Sequence, residues 1–167
     1  MKNLLPLFLS AFLFSFSENV FSQNVMVNVL THNSGIVKKN SNIFFEIKIF
    51  NTSATRQIPA YTIRPQISFP STLVAIADTG HILPKGWGIL SNKNGVVTLS
   101  NGTDIIPENE NRTILISLQG KSIGGPSTII GNLLFSNGVA PGSMAGSSLK
   151  GDNTADNSST SSIKVIK

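Results

Sequence analysis

Asp152, Asn153, Asp156 and Asn157 place four side-chain oxygen donors within six residues near the C-terminus. Hard cations such as calcium take about six to eight oxygen ligands from flexible loops, so calcium is the cofactor this pattern admits. The spacing departs from the regular calcium-binding loop, which closes on a later Glu. Asp and Asn also bond their own backbone in Asx turns, and both readings stand. A second acidic group, Asp104, Glu108 and Glu110, has the look of a solvated loop.

Little else in the chain has the makings of catalysis. His32 and His81 are the two histidines, and each would need a nucleophile and an orienting carboxylate beside it. Asp78 precedes His81 by three residues, a useful spacing only on a helix, and this region does not read as helix. There is no Gly-x-Ser-x-Gly elbow. With no cysteine in the chain, thiol chemistry and disulfides are excluded. Glycoside hydrolysis needs two carboxylates across a cleft, and no spacing singles out a pair. Catalytic residues are therefore assigned to none. Trp87 and Tyr61 are the sole Trp and Tyr, and a lone Trp in a β-rich domain reads as a core plug.

The elements that must position these groups are strands. Ile43, Phe45, Ile47 and Ile49 alternate with Phe44, Glu46, Lys48 and Phe50, and Ile114, Ile116 and Leu118 alternate with Leu115, Ser117 and Gln119. Val25, Val27 and Val29 repeat the pattern, as do Tyr61, Ile63, Ile67 and Phe69. Period-two alternation marks strands with one face in a core. Further strands are expected at 73–77, 87–91, 97–99, 128–135 and 162–166. Asn33-Ser34-Gly35, Asn94-Gly95 and Asn101-Gly102 supply the turns. Pro65 cannot donate to a ladder, so its strand should be an edge there or carry a bulge. No window reads as a capped amphipathic helix. The fold class is all-β, an antiparallel β-sandwich of about seven to nine strands. Residues 137–157, rich in Gly, Ser, Ala and Asn, form a long loop, and loops of that length are either functional or mobile.

The N-terminus reads as a signal peptide over residues 1–22: Lys2, an apolar run from Leu4 to Phe16, then Val20-Phe21-Ser22 before a cut at Gln23. The run is too short, and too broken by Pro6, Ser10 and Ser15, for a transmembrane segment, which needs about 20 apolar residues. Residues 23–167 then form one domain, large enough to hold a core without staples. Loss of Lys2 and Glu18 leaves the formal charge of the chain at +5. The positive residues are scattered, and only Lys38-Lys39 are adjacent. A nucleic-acid reader shows a basic stripe, so no nucleic-acid partner is expected.

Three motifs, in order, carry a resemblance. Ile47-Lys48-Ile49-Phe50-Asn51-Thr52 is a strand ending in an Asn-Thr turn. Leu83-Pro84-Lys85-Gly86-Trp87 is a mid-domain Pro-x-Gly step. Gly151-Asp152-Asn153-Thr154-Ala155-Asp156-Asn157-Ser158 is an acidic, Asn-rich turn before a final strand. Together they resemble the tandem-repeat Ig-like modules of bacterial surface proteins and the bacterial cell-adhesion-related domain. The resemblance implies an Ig-like sandwich that is exported, non-catalytic and adhesive, structural or protein-binding. Its place would be the cell surface or the periplasm, and its partner a protein or polysaccharide there. The chain carries one copy where that family strings several. Two alternatives remain open: a carbohydrate- or calcium-dependent binding module, and a small secreted hydrolase.

The leader gives the first prediction. Protein isolated from the medium or envelope of its source should begin at Gln23, free or cyclised to pyroglutamate. An intact-mass measurement that finds Met1 retained contradicts it.

Overall fold

The computed structural model describes residues 24–136, 145–146 and 152–167. The signal peptide expected at 1–22, its expected cut before Gln23 and most of the loop expected at 137–157 lie outside the described residues. Two sheets face one another. The four-stranded sheet is built from β1 (Val25–Thr31), β3 (Asn42–Asn51), β5 (Val74–Ile76) and β8 (Asn111–Gly120), in the order β1-β3-β8-β5. The other sheet has the order β2-β11-β9-β4-β7-β6. It contains β2 (Ile36–Lys38), β4 (Ile63–Ser68), β6 (Gly88–Lys93), β7 (Val96–Ser100), β9 (Gly124–Ser136) and β11 (Ser158–Ile166), and β10 (Ala145–Gly146) pairs with β9. Two single-turn 3₁₀ segments, Asn33–Gly35 and Thr154–Asp156, are the described helical elements, and no helix among the described residues is long and apolar enough to cross a membrane.

The alternating sequence sets the core directly. Phe45, Ile47 and Ile49 on β3 and Ile114 on β8 are 0 % exposed, and Ile116 is 1 % exposed. They meet Ile63, Ile67, Val97, Leu99, Ile129, Leu133, Phe135, Ile163 and Val165 from the facing sheet. Trp87 also joins the core, as its solitary occurrence suggested. The Asn94-Gly95 turn has positive φ at both residues, 53° and 77°, the conformation that matches the twist of a two-residue hairpin. It joins β6 to β7.

Several expectations need correction. Tyr61 does not continue the β4 alternation: it sits in a turn with φ 59° and is 37 % exposed. β4 lies inside its sheet as a whole, but at Pro65 it is paired with β9 alone, which is the local edge the proline called for. It pairs with β9 from Ile63 to Ser68, but its pairing with β7 begins only at Gln66. Pro65 therefore stands just before that second ladder starts, where a missing N–H costs least. The sandwich is also not wholly antiparallel, because β2 runs parallel to β11 through Ile36, Val37 and Lys38. Three consecutive positive φ values at Asn33, Ser34 and Gly35 turn the chain out of β1 and into the other sheet. A side chain at Gly35 would strike the Ser162 carbonyl. Glycine is thus required there both for its φ and for its lack of Cβ.

The order β1-β3-β8-β5 facing β11-β9-β4 is that of an immunoglobulin sandwich, here widened by the β6–β7 hairpin, which is inserted between β5 and β8. The strand phase yields the second prediction. Phe45→Ala should cost about 3–5 kcal/mol in a denaturant melt, through a cavity that its neighbours cannot close. Lys48→Ala, on the outer parity of the same strand, should change stability by no more than about 0.5 kcal/mol. Equal losses would contradict the assigned faces.

Candidate functional site

Asp152, Asn153, Asp156 and Asn157 lie in and around the turn before β11, at one rim of the sandwich. Asp152 Oδ1 accepts from the Val25 N–H at 2.9 Å, and Asp152 Oδ2 accepts from Asn157 Nδ2 at 2.5 Å. Asn153 Oδ1 caps the 3₁₀ turn by accepting from the Ala155 N–H at 3.3 Å. Asn24 closes the other side. Its Oδ1 accepts from the Asn153 N–H at 3.0 Å, and its Nδ2 reaches Thr52 Oγ1 at 2.8 Å and Asp156 Oδ2 at 3.4 Å. The turn before β11 is therefore tied to the start of β1 and the end of β3. No group of three or more His, Cys, Asp or Glu side chains converges among the described residues; this cluster is two carboxylates and two amides.

The other acidic group separates into distinct parts. Asp104 Oδ2 accepts from Trp87 Nε1 at 2.6 Å and from Arg112 Nε at 2.8 Å. Glu110 pairs with Arg112 Nη1 at 2.9 Å. The hydrogen bond to Asp104 raises the Arg112 pKa; burial opposes this, and Glu110 adds to the rise. Glu108 is exposed. The predicted acidic loop is thus a half-buried clasp holding the sole Trp.

The histidines are occupied structurally. His81 Nδ1 accepts from the Ser117 N–H at 3.1 Å, on the open side of β8. His32 Nε2 lies 3.2 Å from Glu46 Oε2 and Lys48 Nζ lies 3.3 Å from Glu46 Oε1. Burial by itself would raise the Glu46 pKa. Hydrogen bonds from His32 and Lys48, with their charges, outweigh it and leave the carboxyl below its ordinary value. An open groove of about 410 Å³ runs between β5 and the β6–β7 hairpin, and of its lining residues only Asp78 carries a carboxylate.

Sequence reasoning passed over two features. Asn51 and Asn101, 1 % and 0 % exposed, anchor loops by their side chains. Asn51 Nδ2 lies 2.8 Å from the Arg56 carbonyl and 2.9 Å from that of Pro107. Asn101 Nδ2 reaches the carbonyls of Pro59 and Asp104, each at 2.8 Å, while its Oδ1 accepts from the Ile63 N–H. The second feature is the outer face of the four-stranded sheet, which carries several large apolar side chains among its polar ones. Met26 is paired with Phe50, and Leu30, Glu46, Leu115 and Ile82 follow one another across the sheet. Leu30 and Ile82 are 55 % and 56 % exposed. The signal was present: Phe44 and Phe50 sit on the polar parity of β3.

No family model matches the chain, and no curated protein matches it by sequence. Solved structures do. A cohesin module from a Clostridium perfringens family 33 glycoside hydrolase is 12% identical with a TM-score of 0.51, the match covering 85% of this chain and 98% of that one. BcpA, the major pilin subunit of Bacillus cereus, is 11% identical with a TM-score of 0.50, over 86% of this chain and 40% of the pilin. The CARDB domain of a Pyrococcus furiosus protein, solved in complex with di-metal ions, is 11% identical over 87% of this chain and 90% of that one. Its TM-score of 0.47 is too low for those metals to bear on this chain. The class of fold is an Ig-like β-sandwich, in the architecture of the cohesin module and the pilin subunit.

The third prediction concerns the Trp clasp. Asp104→Ala leaves the Arg112 Nε–H and the Trp87 indole N–H without their acceptor, at a cost on the order of 2–3 kcal/mol. The tryptophan emission of the folded variant should shift to the red as water enters the clasp. Unchanged emission and an unchanged melt would show the clasp to be dispensable.

Proposed function

We propose that this chain is an exported, non-catalytic Ig-like module that binds a protein partner at the cell surface or in the periplasm. The observation that carries this is the outer face of the four-stranded sheet. Met26, Leu30, Phe44, Phe50, Leu115 and Ile82 present large apolar groups there, around the Glu46–Lys48 pair. Large apolar side chains gathered on an exposed sheet face, here on both sides of the Asn28–Lys48–Thr113 row, mark interaction sites in soluble proteins. The groups that might have done chemistry are engaged elsewhere. His81 supports the open side of β8, Asp104 holds Trp87 and Arg112, and Asp152 caps β1. That favours contact over catalysis and weighs against the hydrolase. A binding role also accords with what the names of the similar structures describe, a cohesin module and a pilin subunit.

A pull-down from fractionated source cells tests the proposal. The wild-type protein should retain a surface or periplasmic protein, and the double variant Leu30→Glu, Ile82→Glu should lose it while melting within about 1 kcal/mol of wild type, since both side chains are already exposed. A partner held equally by the double variant would move the contact to another surface. Recovery of the protein from the cytoplasm alone would overturn the exported reading.

A further inference from the structure

Among the described residues, two buried side-chain polar atoms lack a hydrogen-bond partner, Asp156 Oδ1 and Asn157 Oδ1. Both are acceptors, they belong to consecutive residues, and both lie in the turn that opens β11. Asn157 is only 7 % exposed, and its amide is turned into the cluster, with Nδ2 on Asp152 Oδ2. The donors that reach this turn are already used. Asn24 Nδ2 serves Thr52 Oγ1 and Asp156 Oδ2, Asn153 Nδ2 serves Asp156 Oδ2 at 3.5 Å, and the Val25 N–H serves Asp152 Oδ1. Neither Asp152 nor Asp156 forms an ion pair among the described residues.

A buried acceptor without a donor is costly, and native structures rarely leave one so. Two such acceptors on consecutive residues, in a turn whose two carboxylates are hydrogen-bonded but carry no ion pair, call for a species that is positively charged and compact. We propose that a divalent cation, calcium by the chemistry of the ligands, binds at this rim between Asp152, Asp156 and Asn157. The donors are hard oxygens of mixed carboxylate and amide type on an irregular turn, which suits calcium's flexible coordination better than the strict octahedron of magnesium. Solvent would supply the remaining ligands. The cation would tie the strand that closes one sheet to the strand that begins the other, because Asn24, Thr52 and the turn before β11 meet here. Cation binding at this rim does not depend on any partner bound at the apolar sheet face.

The test is thermal unfolding of the purified protein in calcium chloride, magnesium chloride and sodium chloride of matched ionic strength. Tm should rise with calcium and saturate between roughly 0.1 and 10 mM, the range of extracellular calcium modules. Magnesium should act weakly and sodium not at all. Asp156→Asn, which keeps the shape but removes the charge, should abolish the calcium response while retaining the circular dichroism of the wild type. If that variant does not fold, Asn157→Asp serves instead: an added carboxylate should lower Tm without calcium and enlarge the calcium-dependent rise. A wild-type Tm indifferent to about 10 mM calcium overturns the site and leaves a buried water as the missing donor. So does a calcium response undiminished in Asp156→Asn, or not enlarged in Asn157→Asp.

Discussion

The open edge of β1 is the constraint on which the rest of the structure depends. β1 pairs with β3 on one side only, and its other side presents backbone N–H groups in a half-buried position, where an unpaired donor is costly. Side chains from 152–161 meet them in sequence. Asp152 accepts from Val25, Ser159 Oγ from Val29 at 3.2 Å, and Ser161 Oγ from Thr31 at 2.9 Å. The two sheets are thereby joined along one side without sharing a backbone ladder, and three short polar side chains replace a strand. Gly131 on β9 allows the approach, because a Cβ there would run into the Val29 side chain. The Ser/Thr-rich start of β11, ahead of the strand expected at 162–166, supplies acceptors at Ser159 and Ser161.

Once β1 is sealed in this way, the path of the chain follows. It must leave the four-stranded sheet to cover the far side of β11, and the Asn33–Gly35 turn takes it there to form the parallel β2. Among the described residues, the opposite side of the sandwich shows no such seal. β5 is three residues long and β6 is shifted by an irregularity between Ile89 and Ser91. Short, irregular edges resist pairing with other chains, so this side is protected by geometry. One side thus closes by hydrogen bonds and the other by shape, which leaves the sheet faces as the surfaces free for contact.

The buried polar residues belong to the same economy of backbone partners. Asn51 ends β3 and Asn101 follows β7, and each donates from its amide to carbonyls of the adjoining loops. An amide suits this task because it offers donors and an acceptor on one short side chain. The rim turn at 152–157 performs a related task with carboxylates. There the donors fall short of the acceptors, and Asp156 Oδ1 and Asn157 Oδ1 are left without a partner among the described residues.

The sequence by itself determined the fold class and the inward set, because strand periodicity is local. Ile43 to Ile49 and Ile114 to Leu118 carry their own phase, and one buried face is enough to fix it. It also showed Trp87 as a core residue and nominated the oxygen-rich turn. Tertiary structure alone decided what those groups touch. Asp104 finds Arg112 eight residues on and Trp87 seventeen residues back, and Asp152 finds Val25 across 127 positions of chain. β2 was illegible because three residues are too few for a period, and its parallel pairing rests on a strand more than a hundred residues away. The apolar outer face was half legible in Phe44 and Phe50. Leu30, Leu115 and Ile82 join them only through strand register, a long-range hydrogen-bonding choice that no local pattern encodes.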